Sequence, residues 1–322
     1  MGEIPSEEEV LGYVERLSNW GRWGTDDSLG CLNLITDAKR IEAAALIRHG
    51  RTVSCSWDIE TGPRPDDTGA PPLRYMVTTG EGVPEPDHLL SHGLLPTDRQ
   101  SGASEFLGLE YHGFRVTHLD ALSHIFLGDR MYNNFPSSWV ASPYGATRNA
   151  VTAAREGIIT RGLLVDVPRH RDVPWLEPGE GVSREELEEI LAAAGCEVRS
   201  GDALLLRTGY GRRRAERGPD RVGRVGRAGW QASCLPFFHE HDIAFIGADT
   251  AQDVVPSGYE RVRVPIHAVG IVAMGLWLLD NCNLEPLAQV CEELGTAEFA
   301  LLVAALPFAG ATGSPVNPIA VF

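Results

Sequence analysis

The sequence predicts a single α/β domain, and three observations lead there. Helix-period and strand-like stretches alternate loosely along 322 residues, with no repeating strand–helix–strand unit, no internal repeat and no linker-like shift in composition. Hydrophobic residues make up 43% of the chain, ample for a well-buried core at this length. Charged residues are held to 22%, which fits a globular chain and not a disordered one.

Taken in order, residues 6–18 predict a first helix, with Ser6 at the N-cap and Val10, Leu11, Val14 and Leu17 on one stripe. The stretch NWGRWGTDDSLGCLNLIT reads as an ordered loop, and a second helix follows it, capped by Thr36 and closed by Gly50. Residues 60–105, rich in Pro, Gly and Asp, predict a long irregular excursion of the kind used as a lid or an interface arm. From about residue 106 to 124 the pattern turns strand-like. GLLVDV (162–167) is a short apolar run typical of a buried strand, and SREELEEILAAAG carries a Ser183/Glu186 capping box with Gly195 as the stop. Residues 201–209, 242–249 and 297–306 predict further strands. HAVGIVAMGLWLLDN and NLEPLAQVCEELG predict helices, the second starting at an Asn283 cap.

A formal net charge of −16 disfavours a nucleic-acid partner, because binding a phosphate backbone needs a basic surface. The six cysteines are scattered without a C-x-x-C pair, so reduced thiols are expected and not a disulfide framework. The N-terminus is acidic and lacks the apolar stretch of a secretory signal. The longest apolar run, about 266–279, contains His267 and is short for a membrane span. These features predict a cytoplasmic protein that acts on a small molecule, without nucleic acid or membrane.

The segment YHGFRVTHLDALSHIF (111–126) carries the chemistry. If residues 112–120 are extended, positions 112, 114, 116, 118 and 120 share one face, which puts His112, His118 and Asp120 on the same side. His124 follows past the small residues Ala121 and Ser123, where the chain can turn back. Two or three imidazoles with one carboxylate suit Zn²⁺ or Mn²⁺. The plainer alternative is a half-buried His–Asp hydrogen-bonded pair.

THLDALSH resembles the H-x-G-T-H-x-D-x-x-x-H signature of the metal-dependent cyclase family, which includes kynurenine formamidase, isatin hydrolase and trans-dienelactone hydrolase. The resemblance continues through NWGRWGTDDSLGCLNLIT, ITRGLLVDVPRH, GDALLLRTGY, IAFIGADTAQDVVP, IHAVGIVAMGLWLLDNCNLEPLA and ATGSPVNPIAVF, so it covers nearly the whole chain. It implies a swivelling β/β/α cyclase-like fold, with a mixed sheet curled into a partial barrel and flanked by helices, in a homodimer or homotetramer. The arm at 60–105 would then reach a neighbouring subunit. It also implies that His118 and Asp120 ligate the metal, and that His124 either ligates or acts as acid–base. His267 matches the later His of the family as ligand or catalytic group, and Asp280 takes the place of its later carboxylate or amide ligand. The first His of the signature is replaced by Phe114. His112 fills the gap only if a small bulge re-aims its side chain. One divalent ion, Zn²⁺ or Mn²⁺, is therefore expected in preference to two.

The activity so implied is attack by metal-activated water on an amide, imide or lactone carbonyl, with His124 moving the proton and His267 ligating or stabilising the oxyanion. The alternatives are a cyclase or dehydratase of a secondary-metabolite pathway, and a metal-free binding protein of the same fold. Trp20, Trp23, Phe114 and Tyr132 are the aromatic candidates for walls around a flat substrate, with ordinary core packing as the alternative. Asp249 either orients a ligand His or caps the next turn. The basic tract at 207–227 is either a solvated loop or a gate for a carboxylate-bearing substrate. No G-x-S-x-G elbow, P-loop or GxGxxG fingerprint appears.

Overall fold

The structure is a computed structural model, and it describes residues 4–81, 102–221 and 225–322. Its centre is one nine-stranded mixed sheet, curled as a half-barrel and flanked by helices. In chain order its strands are β1 (Thr52–Ser54), β2 (His118–Asp120), β3 (Ile158–Asp166), β4 (Ala203–Arg207), β5 (Phe245–Ala248), β6 (Trp277–Asp280), β7 (Glu298–Val303), β8 (Gly313–Pro315) and β9 (Ile319–Val321). They lie side by side as β1-β9-β7-β3-β4-β5-β6-β2-β8. The four central strands β3 to β6 run parallel, and all the other pairings in the sheet are antiparallel. Sequence explains the division. Leu204, Leu205 and Leu206 on β4, and Phe245 and Ile246 on β5, are fully buried on both faces, as parallel strands covered by helices must be.

The predicted start signals hold at three helices. Ser6 accepts from Glu9 N ahead of Glu7–Arg16, Thr36 from Lys39 N ahead of Asp37–Ala44, and Ser183 from Glu186 N ahead of Arg184–Ala193. Elsewhere tertiary contacts override local pattern. The excursion at 60–105 is not wholly irregular, because Leu73–Thr78 pairs antiparallel with Ser104–Gly108 in a hairpin. The stretch between, 82–101, lies outside the described residues. Residues 106–124 are not one strand: Ser104–Gly108 belongs to that hairpin, and only His118–Asp120 joins the main sheet.

The apolar run 267–281 also divides. Ile266–Met274 is a wide π-type helix that ends at Gly275, whose φ of +69° suits glycine. Trp277–Asp280 then becomes β6, because Trp-Leu-Leu pairs between β5 and β2 and is buried on both faces. The last helix, Glu285–Leu294, starts after Leu284, and Asn283 does not cap it.

Two neighbours set the position of the site. β6 ends at Asp280, which lies opposite His118 on β2, and β5 leads into the loop that carries Gln252 and Asp253. Ligands in open α/β sheets gather at such carboxyl ends of parallel strands.

Candidate metal centre

Asp120 is completely buried and lies at the middle of four imidazoles. Its Oδ1 is 2.9 Å from His112 Nδ1 and 3.3 Å from His118 Nε2, while its Oδ2 is 3.7 Å from His267 Nε2 and 3.9 Å from His124 Nε2. Asp280 closes the cluster, its Oδ2 3.5 Å from His267 Nε2. Two groups of ligand atoms close enough to hold a cation share Asp120: His112–Asp120–His124 and His118–Asp120–Asp280.

His112 reaches this point by a route that alternation does not predict. Residues 112–116 are bends and not strand, so the expected common face of 112, 114, 116, 118 and 120 does not exist. The bent chain carries His112 back to Asp120 and turns Phe114 elsewhere, under the guanidinium of Arg227. Gly313, paired with Asp120 across β8, makes the room: a Cβ there would stand 2.8 Å from His112 Cε1 and 2.5 Å from the Leu119 carbonyl oxygen.

Three of the imidazoles are aimed by a second contact on the nitrogen facing away from the cluster. His118 Nδ1 lies 2.8 Å from the Val116 carbonyl, His267 Nδ1 2.6 Å from Asp253 Oδ2, and His112 Nε2 2.9 Å from Thr312 Oγ1. A proton held on the anchored nitrogen leaves the inner nitrogen's lone pair for a metal. Asp253 is itself fixed, accepting from the backbone N–H groups of Ile266 and His267 where the π-type helix begins. Gln252 donates to Asp280 Oδ1 at 2.9 Å. Among the described residues His124 has no such anchor; it stacks on His112 at 3.8 Å with the rings 6° from parallel.

The electrostatics follow the same plan. Burial pushes the Asp120 carboxyl up, but His124, His118 and His112 more than offset it and hold the group well below the carboxylate range. Burial lowers His124 to about 4, and the other three imidazoles add to that against the pull of Asp120. Burial also works against protonated His118 and His267. Asp120 and Asp280 raise His118 nonetheless, and Asp253 and Asp280 raise His267 well above the usual imidazole range.

The donor set fits a divalent cation. Both Asp120 oxygens and His112 Nδ1 are shielded from solvent and lack any partner with hydrogen-bond geometry, although they lie within contact distance of one another. Packing alone gives no reason to bury a carboxylate this way, whereas a cation among imidazole nitrogens and carboxylate oxygens satisfies all of them.

Comparison with known proteins identifies the family. The cyclase family matches residues 91–252, half of the sequence. The chain belongs to the cyclase family. Among solved structures, a novel cyclase is 32% identical with a TM-score of 0.83, over 96% of this chain and 99% of that one. Isatin hydrolase A from Labrenzia aggregata, bound to benzyl benzoate, is 17% identical with a TM-score of 0.58, over 84% of this chain and 93% of that one. The Ralstonia solanacearum isatin hydrolase A is 17% identical with a TM-score of 0.60, over 88% and 96%. At that identity the two hydrolases share the fold with this cyclase-family chain. No curated protein matches it.

Of the residues singled out in the sequence, the structure gathers His112, His118, Asp120, His124, His267 and Asp280 in one place. It does not bring Tyr132 there. Tyr132 is wholly buried, its hydroxyl on Asp27 and its ring against Gly275, so no substrate reaches it, and the expectation of a substrate wall is corrected at this position. Trp20 donates its indole N–H to the Val272 carbonyl, which ties the N-terminal segment to the π-type helix. Trp23 stacks under Arg22. Asp249 orients no histidine; it accepts from Thr208, Gly209 and Tyr210 at the start of the Tyr210–Arg217 helix.

The sequence reading overlooked Asp253, Gln252 and Thr312. The Gln-Asp pair after GADTA is the signal that stood closest, since acidic and amide side chains just past a buried strand are well placed to orient ligands. Thr312 left no signal, because only the antiparallel placement of β8 beside β2 carries it to His112.

Proposed function

We propose that the protein is a metal-dependent hydrolase that opens a cyclic or aryl amide, imide or lactone. The observation that carries this reading is the buried, unpartnered Asp120 carboxylate among four imidazoles, three of them anchored from outside. The isatin hydrolases of the same fold support the substrate class. One divalent ion, Zn²⁺ or Mn²⁺, would supply Lewis acidity at this site and activate water near neutral pH.

The residues divide the remaining work. His112, His118, Asp120 and Asp280 would hold the cation, drawn from the two groups that share Asp120. Asp253 keeps a proton on His267 Nδ1, so that Nε2 faces the reacting centre. His124, held to about 4 in the metal-free site, is neutral at physiological pH and has no fixed partner, so it can accept the proton of the attacking water and return it to the leaving nitrogen or oxygen. The test is hydrolysis of isatin, formylkynurenine and small lactones by Mn²⁺- or Zn²⁺-loaded protein. Turnover that disappears with chelator and returns with metal is expected; metal-loaded protein inert on all three classes would overturn the reading. His124→Ala should cut kcat about 10²–10⁴-fold with little change in bound metal, the range for losing a positioned acid–base group.

A homo-oligomer belongs to the same proposal. Leu73, Tyr75, Val77, Phe106 and Leu107 on the hairpin are exposed, an apolar arm suited to a second subunit. A monomer by light scattering at micromolar concentration would remove it. Six unpaired cysteines support a reducing compartment, and among the described residues no helix is long and apolar enough to cross a membrane.

A further inference from the structure

Arg227 differs from the other shielded arginines. Arg161 is paired with Asp202 and Glu298, Arg207 with Asp166 and Glu285, Arg213 with Asp220 and Glu177, and Arg214 with Asp66. Among the described residues the Arg227 guanidinium has neither an ion pair nor a hydrogen bond, and its Nε is shielded from solvent. It packs on the face of Phe114, with the guanidinium carbon 3.8 Å from the ring centroid, and the Asp280 and Asp253 carboxylates are near enough to favour its charge without touching it. A shielded, unpaired charge is costly, and in a cleft it marks a place where a ligand completes the pairing.

The surroundings are those of a binding site. Arg227 and Phe114 line a small, half-open cleft with Tyr210, Thr250 and Asn281. Asp280 of the cluster and Asp253, the anchor of His267, both act electrostatically on Arg227, so the cleft adjoins the candidate metal cluster. The two acidic side chains in its lining, Asp66 and Asp220, are already held by Arg214 and Arg213. The root of Arg227 is rigid: its backbone N–H donates to the Val255 carbonyl at 2.8 Å and its carbonyl accepts from Val255 N–H at 2.9 Å. Val255 is two residues past Asp253, the anchor of His267, so one short segment held by isolated bridges sets both groups. Gly226 permits that pairing, because a Cβ there would run into the Val255 carbonyl oxygen.

We propose that Arg227 is the anion anchor of this cleft and that it binds a carboxylate on the substrate whose carbonyl is presented to the metal centre. With its face covered by Phe114, the guanidinium keeps its edge N–H groups for an oxyanion, and their planar fork matches a carboxylate two bonds at a time. The inference rests on the hydrolase reading for the word substrate; the anion site itself stands on the cleft and the unpaired arginine. It selects, within cyclic or aryl amides and lactones, those with an acidic substituent.

The test uses the full chain, with benzoate as probe and benzamide as its neutral counterpart, by calorimetry with and without Mn²⁺. Benzoate should bind at least tenfold more tightly than benzamide in both metal states, and Arg227→Gln should erase that difference while Mn²⁺ affinity and thermal midpoint are kept. Arg227→Lys, which keeps charge but not the fork, should fall between. Equal affinity of the natural sequence for the two probes overturns the proposal, whether or not any variant folds. So does benzoate binding that survives Arg227→Gln, which would place the carboxylate on the metal. Because metal-free protein is included, an inactive metal centre and a missing anion site give different results.

Discussion

Asp120 and Asp202 are both fully buried aspartates on or beside the same sheet, yet their surroundings are opposite. Asp202 takes Arg161 Nε at 3.0 Å and Nη2 at 2.6 Å, an N–H from Arg199 at 2.8 Å, and the ammonium of Lys39. Every lone pair has a donor of fixed geometry, and the site joins β3 and β4 to the Asp37–Ala44 helix. Asp120 has four imidazoles at 2.9–3.9 Å and no hydrogen bond that satisfies either oxygen. Buried charge that is fully paired reads as architecture; buried charge ringed by groups that are themselves anchored from behind reads as a receptor for a cation.

Substitutions sharpen or break that contrast. The largest effect is expected from Asp120→Ala: bound Zn²⁺ or Mn²⁺ and hydrolytic turnover should vanish, while the metal-free variant melts within a few degrees of the metal-free parent. Elemental analysis with calorimetry checks both, and a variant that keeps full metal content would break the assignment. Asp202→Ala should do the reverse, costing about 3–5 kcal/mol in denaturant unfolding because Arg161 and Lys39 lose their one fully buried carboxylate and keep only the part-exposed Glu298 and Glu42. Metal content of its folded fraction should be unchanged. Gly313→Ala comes next: its Cβ meets His112 and the Leu119 carbonyl, so metal affinity should fall about 10–100-fold, the usual range for disturbing a ligand's setting.

The smallest effect is a pH slope in chelated protein. Burial holds His124 at about 4 against about 6.5 when unfolded, so its contribution is complete above 6.5 and is lost as pH falls through 4. Each unit in that window removes up to about 1.4 kcal/mol. The raised His118 and His267 act in a different window, with a contribution complete below 6.5 that is lost as pH rises through their folded values. His124→Gln should flatten the acid limb of unfolding measured from pH 4 to 6.5; an unchanged limb would show that His124 is not the group that titrates.

Much of this was legible in the sequence for local reasons. Ser6, Thr36 and Ser183 cap helices because a hydroxyl reaches an amide three residues on, whatever the rest of the chain does. His118 and Asp120 share a face because two residues along a strand return the side chain to the same side. His267 and Asp280 were matched by their order along the chain, yet their meeting depends on a helix that stops at Gly275 and a strand that starts at Trp277, which apolar periodicity does not separate.

What the sequence by itself determined, then, was a set of candidate metal ligands, three helix caps and most of the buried strands, all matters of residue type and short spacing. Tertiary structure alone decided that a bend brings His112 back to Asp120, that Thr312 and Asp253 contact the imidazoles from outside, and that among the described residues Arg227 has no ion-pair partner. Those outcomes join residues up to 200 positions apart, as from His112 to Thr312. Contacts at that separation are set by which strands lie side by side and how a bend redirects one side chain, and neither is encoded in a local pattern.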